Sequence, residues 1–137
     1  MAATNTLYDK SRQRFLEGAF NWNTDTIKCM LVTNGYSLNA AAHEFYTDVT
    51  AGAIIGSPAT FTSKSTTGGA ADAADVTFAA VAAGTVVDAI IIFKDTGTPS
   101  TSPLIAYLGN ATGLPITGNG GDIIIVWDNG ANKIFRV

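Results

Sequence analysis

Few side chains in this sequence have the chemistry to attack, protonate or ligate. His43 is the single histidine and Cys29 the single cysteine. A Ser-His-Asp or Cys-His nucleophile would therefore have to use His43 as its base. The serines nearest to it stand in loop-like contexts, and the chain holds no G-x-S-x-G elbow. In "HEF" the histidine reads as a loop residue held by hydrogen bonds. Cys29, in "TIKCMLV", has apolar neighbours, the setting of a buried structural thiol. Its nearest cation, Lys28, falls on the opposite face of the same strand. One histidine and one cysteine are too few for a zinc site, and a lone cysteine forms no internal disulfide.

Paired carboxylates are the remaining route to catalysis, since glycoside hydrolysis needs two of them about 5–10 Å apart. The candidates are Asp72, Asp75, Asp88, Asp95, Asp122 and Asp128. They stand at strand ends, where aspartate serves turns and caps. Asp72 and Asp75 in "GGAADAAD" offer oxygens to calcium, but without the dense D-x-D-x-D spacing of a dedicated loop. "GNATGLPITGNGG" is glycine-rich, yet it lacks the Lys and Ser/Thr of a phosphate-binding loop and does not join a strand to a helix. Trp22 and Trp127, with Tyr8, Tyr36, Tyr46 and Tyr107, are able to stack on sugars; at this density aromatics read more readily as core or interface. The expectation is a protein that is not an enzyme, with no catalytic residue, metal or cofactor.

The elements that carry these residues are mostly strands. "TNTLYDKSRQRFLEGAF" predicts the one helix, near residues 6–17, capped by Thr4, Asn5 or Thr6 and stopped by Gly18. Leu7, Tyr8, Phe15 and Leu16 share a stripe that Ser11 and Arg12 interrupt. Beyond Gly18, short runs rich in Val, Ile, Phe and Thr alternate with clusters of Gly, Ser, Asn, Asp and Pro. "DTIKCMLV", "DVTFAAV", "GTVVDAIIIFKD" and "LIAYLG" read as strands. "GAIIGSPATFTSKST" reads as two short strands parted by Gly56 and Pro58, and "TTGGAADAAD" as a loop. "AAAHEFYTDVTAG" is a helical turn or a loop. Asn129-Gly130 predicts a type I′ hairpin pairing "DIIIVWD" with "ANKIFRV". The whole, residues 1–137, reads as a single all-β domain: an antiparallel β-sandwich or jelly-roll-like barrel of about seven or eight strands with one short N-terminal helix.

Composition bounds the partners. Of 137 residues, 47% are hydrophobic and 14% charged, against about a quarter charged in an ordinary soluble domain. The net charge of −3 gives no basic footprint for nucleic acid. No run approaches the roughly 20 apolar residues of a membrane span, and the opening residues lack the order of a secretory signal. Folding in a cytoplasm is the expectation.

Two strands are apolar on both faces. In "DAIIIFKD", Ala89, Ile91 and Phe93 face one way, and Ile90 and Ile92 the other; "DIIIVWD" is an unbroken run from Ile123 to Trp127. In a sandwich one face meets the opposite sheet, and the other must meet the helix, a loop or a second copy. Loops folding over it are one solution. The reading preferred here is an oligomer interface, with Ile90, Ile92, Ile124, Val126 and Phe135 as its residues.

The segments "TLYDKSRQRFLEGAFNWNTDTIKCMLV", "HEFYTDV" and "IIIFKDTGTPSTSPLIAYLGNATGLPITGNGGDIIIVWDNGANKIFRV" resemble small virion structural proteins of tailed bacteriophages, along nearly the whole chain. "FKDTGT", "LIAY", "TGLP" and "WDNGANKIF" are the most diagnostic pieces. The resemblance implies capsid decoration, or cement: a small β-rich protein, commonly trimeric, bound to the major capsid protein on the outside of the head. It implies manufacture in the bacterial host's cytoplasm and residence in the virion. A tail or head-fibre component that binds host glycan is the alternative. For docking on an acidic capsid surface the candidates are Tyr8, Lys10, Arg12 and Arg14.

Overall fold

The structure, a computed structural model, describes residues 5–110, 114–127 and 133–137. Its centre is a five-stranded antiparallel sheet in the order β1-β9-β8-β2-β3: β1 Asn5–Leu7, β9 Leu104–Leu108, β8 Ala89–Lys94, β2 Ile27–Val32 and β3 Ile54–Thr60. Smaller strands form three further sheets: β6 Val76–Phe78 with β11 Ile123–Ile125, β7 Val86–Val87 with β10 Ile116–Thr117, and β4 Ser65–Thr67, β5 Ala70–Asp72 and β12 Phe135–Arg136 in the order β12-β5-β4. The fold is all-β, with one α-helix, α1 (Asp9–Leu16), among the described residues.

The strongly β-branched segments occupy the middle of the large sheet, where both faces must be dry. β2 and β8 alternate as their sequences require. Ile27, Cys29, Leu31, Ile90 and Ile92 enter one core, and Met30, Val32, Ala89, Ile91 and Phe93 enter a second core on the other side. The first core is closed by the small sheets, through Val76, Phe78 and Ile123, and by the loop aromatics Trp22, Phe61 and Trp127. The second is closed by Tyr8 and by the irregular segment between β2 and β3, through Tyr36, Val49 and Ala53. That segment contains two 3-10 turns, Tyr46–Asp48 and Ala51–Ala53.

This corrects the interface expectation for Ile90 and Ile92. Ile92 is 0% exposed and Ile90 is buried beside it, sealed by the chain's own loops and small sheets. A second copy has no access to them. Phe135 is half-buried, and its ring meets Trp22 at 5.2 Å and Phe15 at 6.2 Å. Ile124 and Val126 differ: they are 61% and 70% exposed. β11 therefore does alternate, with Ile123 and Trp127 inward, but its outward positions are apolar.

Four local readings change. Residues 5–7 pair with β9 and do not join the helix, which starts at Asp9 after Tyr8 and has no side-chain cap. Backbone carbonyls serve the helix's first amides instead: Asp9 donates to Ala40, and Ser11 and Arg12 donate to Tyr8. "GAIIGSPAT" holds one strand, β3, whose register against β2 shifts by a bulge instead of breaking; Gly56, at φ +61°, supplies the kink. "TTGGAAD" is a hairpin, β4–β5, turning on Gly68 and Gly69, both at positive φ as a type I′ turn demands. The arms of the expected C-terminal hairpin part company: β11 pairs with β6, and β12 with β5. The Asn129-Gly130 turn lies outside the described residues.

Candidate functional site

The residues singled out for chemistry are held in structural roles. Cys29 is fully buried, and desolvation pushes its thiol up to about 12. Asp95 accepts from Lys28, at 2.8 Å, and from the Gly97 amide; both hold its carboxyl below the usual range, Lys28 foremost. Asp72 accepts from the Ala73 amide and faces Lys133 at 3.7 Å. Asp75 accepts from the Trp127 amide and Asp122 from the Ala80 amide. Asp88 is buried at the start of β8, and Asp128 lies outside the described residues. Among the described residues no three His, Cys, Asp or Glu side chains converge as metal ligands would.

His43, itself partly buried, ends a hydrogen-bond chain that runs into the second core. Its Nδ1 is 2.7 Å from the Tyr36 hydroxyl and accepts from the Asn39 amide at 3.3 Å. A nitrogen that accepts from an amide carries no proton, so Tyr36 donates to His43. Tyr8, whose hydroxyl is 2.9 Å away, then donates to Tyr36. Burial, and next the neighbouring Tyr36, push the Tyr8 phenol far above its ordinary range. Burial also raises Tyr36, to about 12. Tyr8 is fully buried, so no substrate reaches the far end of this chain. Its function is to tie the N-terminus to the loop over the second core. Tyr36→Phe leaves both neighbours without their partner, and unfolding in urea should show a loss of about 1–3 kcal/mol.

The raised groups, Cys29, Tyr8, Tyr36 and Tyr107, make the molecule sensitive to base. A folded-state pKa above the unfolded one gives stability that is complete below the unfolded value and drains away as pH rises toward the folded one. For Cys29 that window runs from about pH 8.5 to about 12. The thiol alone costs about 1.4 kcal/mol per pH unit there. Stability measured against pH should fall less steeply above pH 9 in Cys29→Ala than in the parent. In the folded parent, a thiol reagent should find Cys29 unreactive until denaturant is added.

The aromatics weighed as sugar platforms are largely core. Trp22, Trp127, Tyr8, Tyr36 and Tyr107 are buried. Trp22 donates to the Asp72 carbonyl, and Trp127 to the Ala74 carbonyl. The "FKDTGT" segment runs from the buried Phe93 to an exposed turn held by its own contacts. Phe93 meets Tyr46 edge-on, Lys94 reaches Asp25 at 3.2 Å, and the Thr96 and Thr101 hydroxyls meet at 2.6 Å.

The four docking candidates separate. Tyr8 is buried and cannot dock, because its ring closes the second core. Arg14 turns inward to Glu44 at 2.7 Å and lies over the Phe45 ring. Lys10 and Arg12 are exposed, with Arg12 paired to Asp9 on the helix.

Three surfaces remain open among the described residues. The first is the outward side of β11, where Ile124 stands on a strand with one neighbour, β6, among the described residues, and Val126 follows just past its end. The second is a groove of about 960 Å³ between α1, β1, β9 and β12. Leu7, Phe15, Leu108, Ile134 and Phe135 give it an apolar lining, and Leu16, 90% exposed, stands at its side. Sequence periodicity placed Leu16 on the helix's inner stripe. The buried helix position is instead Ser11, whose hydroxyl lies 2.7 Å from the Tyr8 and Ile105 carbonyl oxygens. That close polar contact turns Leu16 outward. The third, a second groove of about 720 Å³ beside β3 and β6, is lined by no charged residue.

No protein-family model matches the chain, and no curated protein matches it. No helix among the described residues is long and apolar enough to cross a membrane.

Proposed function

We propose that this chain is a self-associating structural protein of a tailed-phage virion, a decoration protein on the outside of the head. The observation that carries self-association is the outward face of β11. Ile124 projects from a strand with one neighbour among the described residues, and Val126 stands just past its end, on a body whose central strands β2, β8 and β9 are largely buried. Exposed apolar strand edges pair with further copies unless something covers them. The double core supports a load-bearing role, since a sheet packed on both faces resists deformation. The virion itself, and the major capsid protein as partner, come from the sequence resemblance. Assembly as a closed ring of copies, a trimer in the likeness of decoration proteins, lets a weak contact per copy add up to firm attachment.

Mass spectrometry and immunogold labelling of purified particles that encode the chain test this reading. Labelling over the head, in numbers matching a surface lattice, is the expected outcome. Absence from the particle, or label confined to the tail, contradicts it.

A further inference from the structure

The groove beside α1 lies where two sheets end. β1 is the outermost strand of the five-stranded sheet, and β12 the outermost strand of the three-stranded one. Both line the groove, through Asn5, Thr6 and Leu7 on one side and residues 134–137 on the other. Among the described residues, the outer edge of each carries backbone donors and acceptors with no strand partner. The groove's charged lining side chains are Arg136 and Arg12, which already pairs with Asp9 at 2.9 Å, in a chain of net charge −3. Among the described residues the groove offers guanidinium groups, an apolar floor and two strand edges.

We infer that this groove binds an extended, acidic segment of a partner protein by strand addition. Backbone hydrogen bonds to an open edge supply affinity, and alternate side chains supply selection. Apolar residues of the segment enter the groove beside Leu7, Phe15 and Phe135. Its carboxylates meet Arg12 and Arg136, whose planar forks suit them better than an ammonium would. No residue of β11 lines this groove. The inference extends the assembly reading and rests on it for the partner's identity, not for the binding.

The test uses the full chain and three synthetic peptides: alternating glutamate and valine, alternating lysine and valine, and the glutamate peptide with alternate amides N-methylated. Titration is followed by fluorescence anisotropy and by amide hydrogen exchange. Saturable binding of the glutamate peptide alone is expected, with slowed exchange confined to β1 and β12. Arg12→Glu/Arg136→Glu should weaken it at least about tenfold, while Arg12→Gln/Arg136→Gln weakens it less. Urea unfolding of each variant confirms that the fold is kept. No saturable binding, equal binding of the lysine or N-methylated peptide, or protection elsewhere overturns the inference. Absence of the chain from virions would remove the proposed role and leave this result standing.

Discussion

Truncating Ile92 to alanine should lower the free energy of unfolding by about 2–5 kcal/mol and leave the association of copies unchanged. Ile92 sits mid-strand in β8, fully buried, between Cys29 of β2 and Ala106 of β9. Its neighbours in the first core come from several separate elements, so the vacated volume cannot collapse by moving one of them. Urea unfolding followed by tryptophan fluorescence measures the loss, since Trp22 and Trp127 belong to the same core. An interface residue behaves differently: its truncation dissociates the oligomer and spares the subunit. A variant that folds as firmly as the parent but dissociates would place Ile92 between copies, against the structure.

The converse holds at β11. Ile124→Ser/Val126→Ser should weaken self-association at least about 100-fold, which is about 2.7 kcal/mol. Fully burying one such side chain contributes about 1.5–3 kcal/mol, and each copy brings two that are more than half exposed. The same pair of substitutions should leave the urea midpoint nearly unchanged, because neither side chain is buried within the subunit. Light scattering across a dilution series reads the first effect, and urea unfolding reads the second. Association that survives the double substitution would move the contact to another face.

The contrast between these residues shows where the sequence could be read. Alternation along β2 and β8 assigned every residue to its correct side, because a period of two is fixed by backbone geometry. What lay over each side was not legible. The cover of the second core is an irregular segment, and no periodicity announces that Tyr36, Val49 and Ala53 fold back over Ile91 and Phe93. A long-range contact of that kind, not propensity, decided between loop and second copy. The Gly68-Gly69 hairpin was not legible: the small residues of "TTGGAADAAD" read as loop, having little of the β-branched and aromatic bulk that marks a strand. The groove was the least legible feature. It depends on β12 leaving β11 to pair with β5, and on Ser11 taking the buried helix position. Arg12 stood among the docking candidates; Arg136, distant in sequence, had nothing to connect it to them until the fold brought both to one groove.

The account rests on a subunit that seals its own sheet, so that association adds to a finished fold and does not complete it. Unfolding by urea as a function of protein concentration tests this most directly, in the Ile124→Ser/Val126→Ser background where association through β11 is removed. A fold completed by its partners gains stability with concentration by mass action, and one completed by itself does not. The midpoint is predicted to stay constant from about 0.1 to about 100 μM. A midpoint that climbs steadily over that range would mean that copies shield the strands of the large sheet, and would contradict the account.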